Sequence, residues 1–187
     1  TAIRNHEVVL GRKPLGIWLP ECAYYENLDE ILFDSGIRYA VLDGHGILNG
    51  SPRPRYGVYA PICSNKGVAF FGRDSESTLP VWSSKDGFPG NPVYREFHKD
   101  LGWELPASEL KKKGIPSRRP LGLKFHRITN NKDSLDKKEF YIEEEAIKKV
   151  EEHADSYLLS RSNQLKNLSL SSSFDPILTA PFDAELF

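Results

Sequence analysis

The sequence predicts an α/β fold built on parallel strands, and three observations carry the prediction. Short apolar runs alternate with helical segments over connections of only a few residues. The first such unit is strand–helix–strand, the kind that closes with a right-handed crossover. Polar residues (Glu21, Asp43, His45, His126 and Asp183) follow the predicted strand ends, the edge on which α/β folds build their ligand sites. A barrel and an open doubly wound sheet both satisfy these observations.

The elements follow in order. Residues 14–20 read as a buried strand, because Leu15, Ile17, Trp18 and Leu19 are apolar and Pro14 and Pro20 bound them. Residues 27–35 read as a helix, with Asn27 placed to cap it, Glu30 at its third position and Gly36 to end it. Residues 37–43 return as a strand. Residues 44–55 contain Gly44, Gly46, Gly50, Pro52 and Pro54 and read as a loop. Residues 58–62 and 68–71 are short apolar runs with strand character. Residues 73–120, rich in Gly, Pro and aromatics, predict a loop-rich insertion with one short helix near 93–98; an insertion of that length in a compact domain is usually functional. Residues 121–128 form a further strand. The strongest helix covers 143–168, where Ile147, Val150, Ala154, Tyr157, Leu158, Leu165 and Leu168 follow helical spacing and Glu143, Glu144 and Glu145 suit the N-terminal dipole. The Ser-rich stretch 169–173 reads as a loop and 174–182 as the last strand.

Composition narrows the function. A chain of 187 residues can bury a core and suits one domain. A net charge of -1 and a pI near 6.5 give no electrostatic reason for a nucleic-acid or anionic-membrane partner. No window approaches the roughly 20 apolar residues of a membrane span, and Arg4, Asn5, His6 and Glu7 interrupt any signal-peptide pattern. Cys22 and Cys63 make no disulfide framework and read as buried free thiols of a reducing compartment, so a cytoplasmic protein is expected. The chain contains no methionine, and residue 187 follows an acidic, apolar segment directly. Flanking sequence is therefore expected on at least one side.

Two segments concentrate the chemistry. One is Gly16-Ile17-Trp18-Leu19-Pro20-Glu21-Cys22-Ala23-Tyr24-Tyr25, the other Ala180-Pro181-Phe182-Asp183-Ala184-Glu185-Leu186-Phe187. Each places an acid after an apolar run and a proline, and two carboxylates from different strands are the minimum equipment for cleaving a glycosidic bond. A solvated acid is the plain reading of Glu21, but Trp18, Tyr24 and Tyr25 supply faces on which sugar rings stack. Asp183 reads alternatively as the N-cap of a following helix. Asp43 and His45 in Asp-Gly-His-Gly read equally as a polar turn or as ligand contacts. A metal site needs three or four ligands, and no His-x-x-x-His or Cys-x-x-Cys is present, so neither metal nor cofactor is expected. Arg95 reads as half of a surface ion pair with Glu96 or as a substrate contact. His126 is either satisfied inside the fold or a contact, and Trp82 and Trp103 are core residues or cleft lining. Serine-nucleophile motifs and phosphate-cradling Gly loops are absent.

These two segments resemble signature regions of glycoside hydrolase family 57. The stretches at 41–46 (Val-Leu-Asp-Gly-His-Gly), 71–74 (Phe-Gly-Arg-Asp), 87–90 (Gly-Phe-Pro-Gly), 94–100 (Tyr-Arg-Glu-Phe-His-Lys-Asp) and 124–129 (Lys-Phe-His-Arg-Ile-Thr) are similar to its branching-enzyme and related α-amylase group. The resemblance covers nearly the whole chain. It implies an incomplete (β/α)7 barrel with parallel strands and a retaining mechanism on α-1,4-glucans, with Glu21 at the nucleophile position and Asp183 at that of the general acid/base. Arg95 matches a substrate-contacting arginine. The substrate contacts are then Trp18, Asp43, His45, Arg95, Trp103 and His126. The family's N-terminal histidine motif and helical C-terminal region are not in the chain, and its second signature continues with Gly-His-Trp beyond the position of Phe187. Residues 1–187 thus resemble the central and C-terminal part of one catalytic barrel. The implied partners are an α-glucan or maltooligosaccharide and the remainder of the same polypeptide.

One departure bears on the reaction. Branching members have a long loop with a tip tyrosine near the stretch matching 62–72. Here that stretch is short, and no tyrosine lies between Tyr59 and Tyr94. Because a lid that excludes water steers a glycosyl-enzyme to a sugar acceptor, this favours hydrolysis over branching. A non-catalytic carbohydrate-binding domain and a deacetylase-like barrel with an Asp-His-His metal set are the competing classes.

Overall fold

Three short parallel strands organise the first part of the chain in the computed structural model, which describes residues 1–130 and 132–183. Helix α1 (Ala2–Leu10) leads to β1 (Gly16–Trp18), and α2 (Leu28–Asp34) crosses to β2 (Tyr39–Leu42). β2 lies parallel to β1, with Gly16 opposite Tyr39 and Trp18 opposite Val41. After α3 (Gly44–Leu48) come β3 (Ile62–Cys63) and β4 (Ala69–Gly72). β4 lies parallel to β2, with Leu42 opposite Gly72, and the strand order is β1-β2-β4-β3. The result is a mixed α/β architecture with a four-stranded, mostly parallel sheet. β3 departs from the parallel expectation: it runs antiparallel to β4. The two are joined by a tight turn in which Gly67 N–H donates to the Ser64 carbonyl at 3.0 Å, far shorter than the dozen or so residues a parallel crossover needs.

Chain contacts separate two compact units, one of Thr1–Thr78 with Arg161–Phe187 and the other of Leu79–Ser160. The sheet belongs to the first. Its core joins Leu32 of α2, Ala40 and Leu42 of β2, Ile47 of α3, and Val68 and Phe70 flanking and within β4; full burial of each large apolar side chain is worth about 1.5–3 kcal/mol. α2 ends as its sequence predicts. Gly36 adopts a φ of 82°, its N–H donates to the Phe33 carbonyl at 2.9 Å, and Ile37 N–H donates to the Leu32 carbonyl at 2.9 Å, which closes the helix in the manner glycine permits. Its start differs: Asn27 has a φ of 68° and makes no side-chain cap.

The predicted loop at 44–55 contains α3. Two glycines argue against a helix, but the Asp43 carboxylate accepts the His45 N–H at 3.1 Å and caps it. Gly44 is required by packing, since a Cβ there would lie 2.7 Å from the Arg73 carbonyl oxygen. The strand expected at 174–182 has no ladder. The segment runs alongside the sheet unit through two backbone bonds, Ile177 N–H to the Tyr59 carbonyl at 2.9 Å and Asp74 N–H to the Thr179 carbonyl at 2.8 Å.

The stretch expected to be loop-rich contains more helix than its composition predicts: α4 (Ser75–Trp82), α5 (Leu101–Glu104) and α6 (Ala107–Lys112). The short helix expected near 93–98 is not formed. Arg95 instead pairs with Arg127 in an antiparallel bridge, and Glu96 N–H donates to the His126 carbonyl at 2.9 Å. The strand expected at 121–128 is reduced to this bridge and a second between His126 and Phe140. α7 (Glu143–Ser171) is longer than predicted and takes in the first part of the expected Ser-rich loop.

Candidate active site

The exit of β1 is a strained turn. Pro20–Cys22 forms a single 3-10 turn in which Glu21 and Cys22 both adopt left-handed backbone, with φ of 52° and 53°. For residues with a Cβ this costs about 1–2 kcal/mol each. Cys22 N–H donates to the Leu19 carbonyl at 2.8 Å and Ala23 N–H to the Pro20 carbonyl at 3.0 Å. Side chains hold the turn as well. Trp18 Nε1–H donates to Cys22 Sγ at 3.0 Å, and Arg73 Nη2 donates to the same sulfur at 3.5 Å. Glu21 itself is exposed.

The exits of β2 and β4 converge on the same place. Asp43 follows β2 and Arg73 follows β4, and because β1, β2 and β4 run parallel side by side in that order their ends share one edge of the sheet. Asp43 Oδ1 lies 2.7 Å from His45 Nδ1, and Asp43 Oδ2 lies 3.8 Å from Arg73 Nη1. Burial alone would raise the Asp43 carboxyl. Hydrogen bonds from the His45 N–H and ring, with the His45 and Arg73 charges, outweigh it and hold the carboxyl below its ordinary value. With Nδ1 engaged, the imidazole leaves Nε2 to solvent, and the His45 side chain is 80% exposed. The Arg73 guanidinium lies 5.5 Å from the Trp18 ring centroid. Trp18, Cys22, Arg73, Asp43 and His45 thus form one connected network beside Glu21.

Asp183 is partly buried and ends the described part of its segment. The segment is fixed at Thr179, whose carbonyl accepts the N–H of Asp74, the residue after Arg73. The rest of the second signature, Ala184, Glu185, Leu186 and Phe187, lies outside the described residues.

The other three predicted contacts belong to the second unit. The Arg95 guanidinium donates to the Lys124 carbonyl at 2.7 Å and stacks 3.8 Å from the Tyr141 ring centroid. His126 stacks on Phe140 at 4.8 Å. Burial, reinforced by Lys99 and opposed by Glu104, lowers its pKa. Trp103 sits on α5, half exposed. Sequence reasoning missed Arg73. The signal is in the sequence, since Arg73 follows the apolar Ala-Phe-Phe-Gly strand just as Asp43 follows Tyr-Ala-Val-Leu.

Among the described residues no three His, Cys, Asp or Glu side chains gather as a metal site, and no helix is long and apolar enough to cross a membrane.

A family model described as Glycosyl hydrolase family 57 matches residues 3–171. The fold is similar to that of the α-amylase AmyC from Thermotoga maritima, with a TM-score of 0.88 and 40% identity over 99% of this chain and 36% of that one. It is also similar to the GH57-type branching enzyme from Pyrococcus horikoshii, with a TM-score of 0.79 and 31% identity over 99% of this chain and 33% of that one. The 1,4-alpha-glucan branching enzyme of Thermococcus kodakarensis is 30% identical over 99% of this chain and 29% of its own length. The chain therefore spans about a third of the length of these relatives.

Proposed function

The chain belongs to glycosyl hydrolase family 57, and on that premise we propose that it is the central and C-terminal part of a catalytic (β/α)7 barrel that cleaves α-1,4-glucans with retention. The observation that carries the reading is the β1 exit. A glutamate in a strained turn that Trp18 and Arg73 hold through Cys22, at the edge where β2 and β4 deliver Asp43 and Arg73, supports the reading of Glu21 as a substrate-facing carboxylate.

In this mechanism the Glu21 carboxylate attacks the anomeric carbon while Asp183, protonated, gives its proton to the departing glycosidic oxygen. The C–O bond to the leaving sugar breaks as the ester to Glu21 forms. Asp183, now a carboxylate, then takes a proton from water or a sugar hydroxyl, whose oxygen displaces Glu21 from the anomeric carbon. Retention calls for the two carboxyls to stand about 5–5.5 Å apart. Trp18 offers a stacking face and His45 Nε2 a hydroxyl contact, and Arg95, Trp103 and His126 are the further contacts in this reading. The substrate is an α-glucan or maltooligosaccharide, and the remainder of the polypeptide completes the barrel.

Hydrolysis is the favoured outcome. Residues 62–72 are a two-stranded hairpin closed by the Ser64–Gly67 turn, with no room for a long lid. Branching is the second reading, supported by relatives that carry that name. Product analysis on amylose with the full-length enzyme separates them: short maltooligosaccharides with rising reducing ends support hydrolysis, and new α-1,6 linkages support branching. Turnover undiminished in Glu21→Gln would remove both.

A further inference from the structure

We propose that Arg73 is a positioning residue of this site, tying the turn that presents Glu21 to the Asp43–His45 pair. The inference rests on the reading of Glu21 as the nucleophile. Its geometric basis starts at the backbone. Arg73 N–H donates to the Leu42 carbonyl at 2.8 Å, which seats residue 73 beside the end of β2, and its carbonyl is packed so closely on Gly44 that a Cβ there would be 2.7 Å away. From that seat the side chain crosses the end of β2 and reaches the end of β1. Nη1 lies 3.8 Å from Asp43 Oδ2, Nη2 donates to Cys22 Sγ at 3.5 Å, and the guanidinium carbon lies 5.5 Å from the Trp18 ring centroid.

Two features make this more than a surface ion pair. Left-handed backbone at successive non-glycine residues persists only where the surroundings over-determine it, and Cys22 Sγ is the handle by which Trp18 and Arg73 grip the turn. The side chain is also three-quarters buried, and its Nε–H is buried without a partner among the described residues, a cost that generic packing would avoid. A planar, permanently charged fork can serve an oxygen and a sulfur acceptor at once while lying against an indole; a lysine ammonium, a single point on a flexible stem, cannot. Asp43, paired with Arg73, in turn holds the His45 ring at Nδ1, so one guanidinium engages both the turn that carries Glu21 and the Asp43–His45 pair.

The test uses Arg73→Lys and Arg73→Ala in the full-length enzyme, with Glu21→Gln alongside, assayed on maltooligosaccharides. We expect kcat to fall about 10-fold for Arg73→Lys and about 100-fold for Arg73→Ala, with KM changed less than about 3-fold, the range seen when a group that orients a catalytic side chain is lost. Added guanidinium ion should restore part of the Arg73→Ala rate and none of the Glu21→Gln rate. In a Cys63→Ser background, both Arg73 variants should make Cys22 react faster with a thiol reagent. Arg73→Lys with an unchanged kcat and unchanged Cys22 labelling overturns the proposal. So does an Arg73→Ala loss that guanidinium leaves untouched while Cys22 labelling stays at the wild-type rate. Turnover retained by Glu21→Gln removes the nucleophile reading instead, and the labelling rates then still decide whether Arg73 grips the turn.

Discussion

Trp18 Nε1 and Cys22 Sγ lie 3.0 Å apart across a turn whose two residues Glu21 and Cys22 both have positive φ. The thiol is the shared acceptor for the indole N–H and the Arg73 guanidinium. Cys22→Ala leaves both donors without that partner, and the expected loss of stability is about 1–2 kcal/mol. Activity should fall further than stability, because the turn that loses its grip is the one that carries Glu21. Thermal unfolding and kcat measured on the same preparation check this; a variant that keeps full turnover would show that the sulfur is incidental.

Asp74 is a buried carboxylate at the start of α4. Its side chain is 3% exposed, accepts from Ser77 N–H and from Gln164 Nε2, each at 3.1 Å, and lies 3.7 Å from Arg161 Nη1. It therefore caps the start of α4 and fastens it to the later part of α7. Asp74→Asn removes the charge that Arg161 faces, and breaking a buried pair from one side costs about 3–5 kcal/mol. Urea unfolding should register a loss of that size. A change below about 1 kcal/mol would mean that solvent screens the pair.

These two cases show what sequence could and could not reveal. The strands at 14–20, 37–43 and 68–71 were legible because a buried parallel strand must be a short apolar run, and the acids just beyond them were legible because the chain has to leave the sheet there. α3 was not legible: its glycines argue for a loop, and it exists because Asp43 caps it and the Arg73 backbone needs the space at Gly44. α7 was legible as a helix but misread by face. Ile147, Val150 and Leu158, the apolar spacing that announces it, are 54%, 54% and 66% exposed, while polar His153, Arg161 and Gln164 on it engage Tyr94, Asp74 and Ser77. Hydrogen-bond partners distant in sequence decided that face, and no periodicity encodes them. Glu21, Asp43 and Arg73 each follow a strand that the sequence announces, but no local pattern encodes that Arg73 meets Cys22 and Asp43, because that contact depends on the side-by-side order of three strands.

Two histidines in the second unit set a pH dependence. His153 accepts or donates at Nδ1 with the Tyr94 hydroxyl at 2.8 Å and stacks on Phe88 at 4.4 Å; His126 stacks on Phe140. Both are held below the ordinary histidine value. Burial is the main cause in each, reinforced by Lys149 and opposed by Glu152 for His153, and reinforced by Lys99 and opposed by Glu104 for His126. A histidine with a depressed folded pKa stabilises the fold above its unfolded pKa of about 6.5, and that contribution is lost as pH falls from there through the folded value. Stability of the 79–160 unit should therefore decline on acidification below about pH 6.5, before carboxylates titrate. Urea midpoints against pH test it, and the double variant His126→Gln/His153→Gln should flatten the profile. A wild-type midpoint that rises between about pH 6.5 and 5.5 would contradict the sign.

Lys138 is a buried cation of the second unit, with its side chain 3% exposed. Its Nζ donates to the Ile128 carbonyl at 2.7 Å and to the Asn130 carbonyl, and lies 3.5 Å from Glu96 Oε2. Glu96 has a second anchor, because its Oε1 accepts the His98 N–H at 2.9 Å. The two partners are therefore not equivalent. Lys138→Met strands the Glu96 charge and two carbonyls together, and should cost about 3–5 kcal/mol. Glu96→Gln keeps an oxygen for His98 and an acceptor for Lys138, so its loss should be nearer 1–2 kcal/mol, roughly one weakened charged hydrogen bond. The double variant Lys138→Met/Glu96→Gln removes the stranded charge and should recover part of the Lys138→Met loss, a coupling of about 1–3 kcal/mol in a double-mutant cycle. Urea unfolding of the four proteins measures it. Strict additivity would show that Lys138 acts through the two carbonyls alone and that the ion pair contributes nothing to this unit.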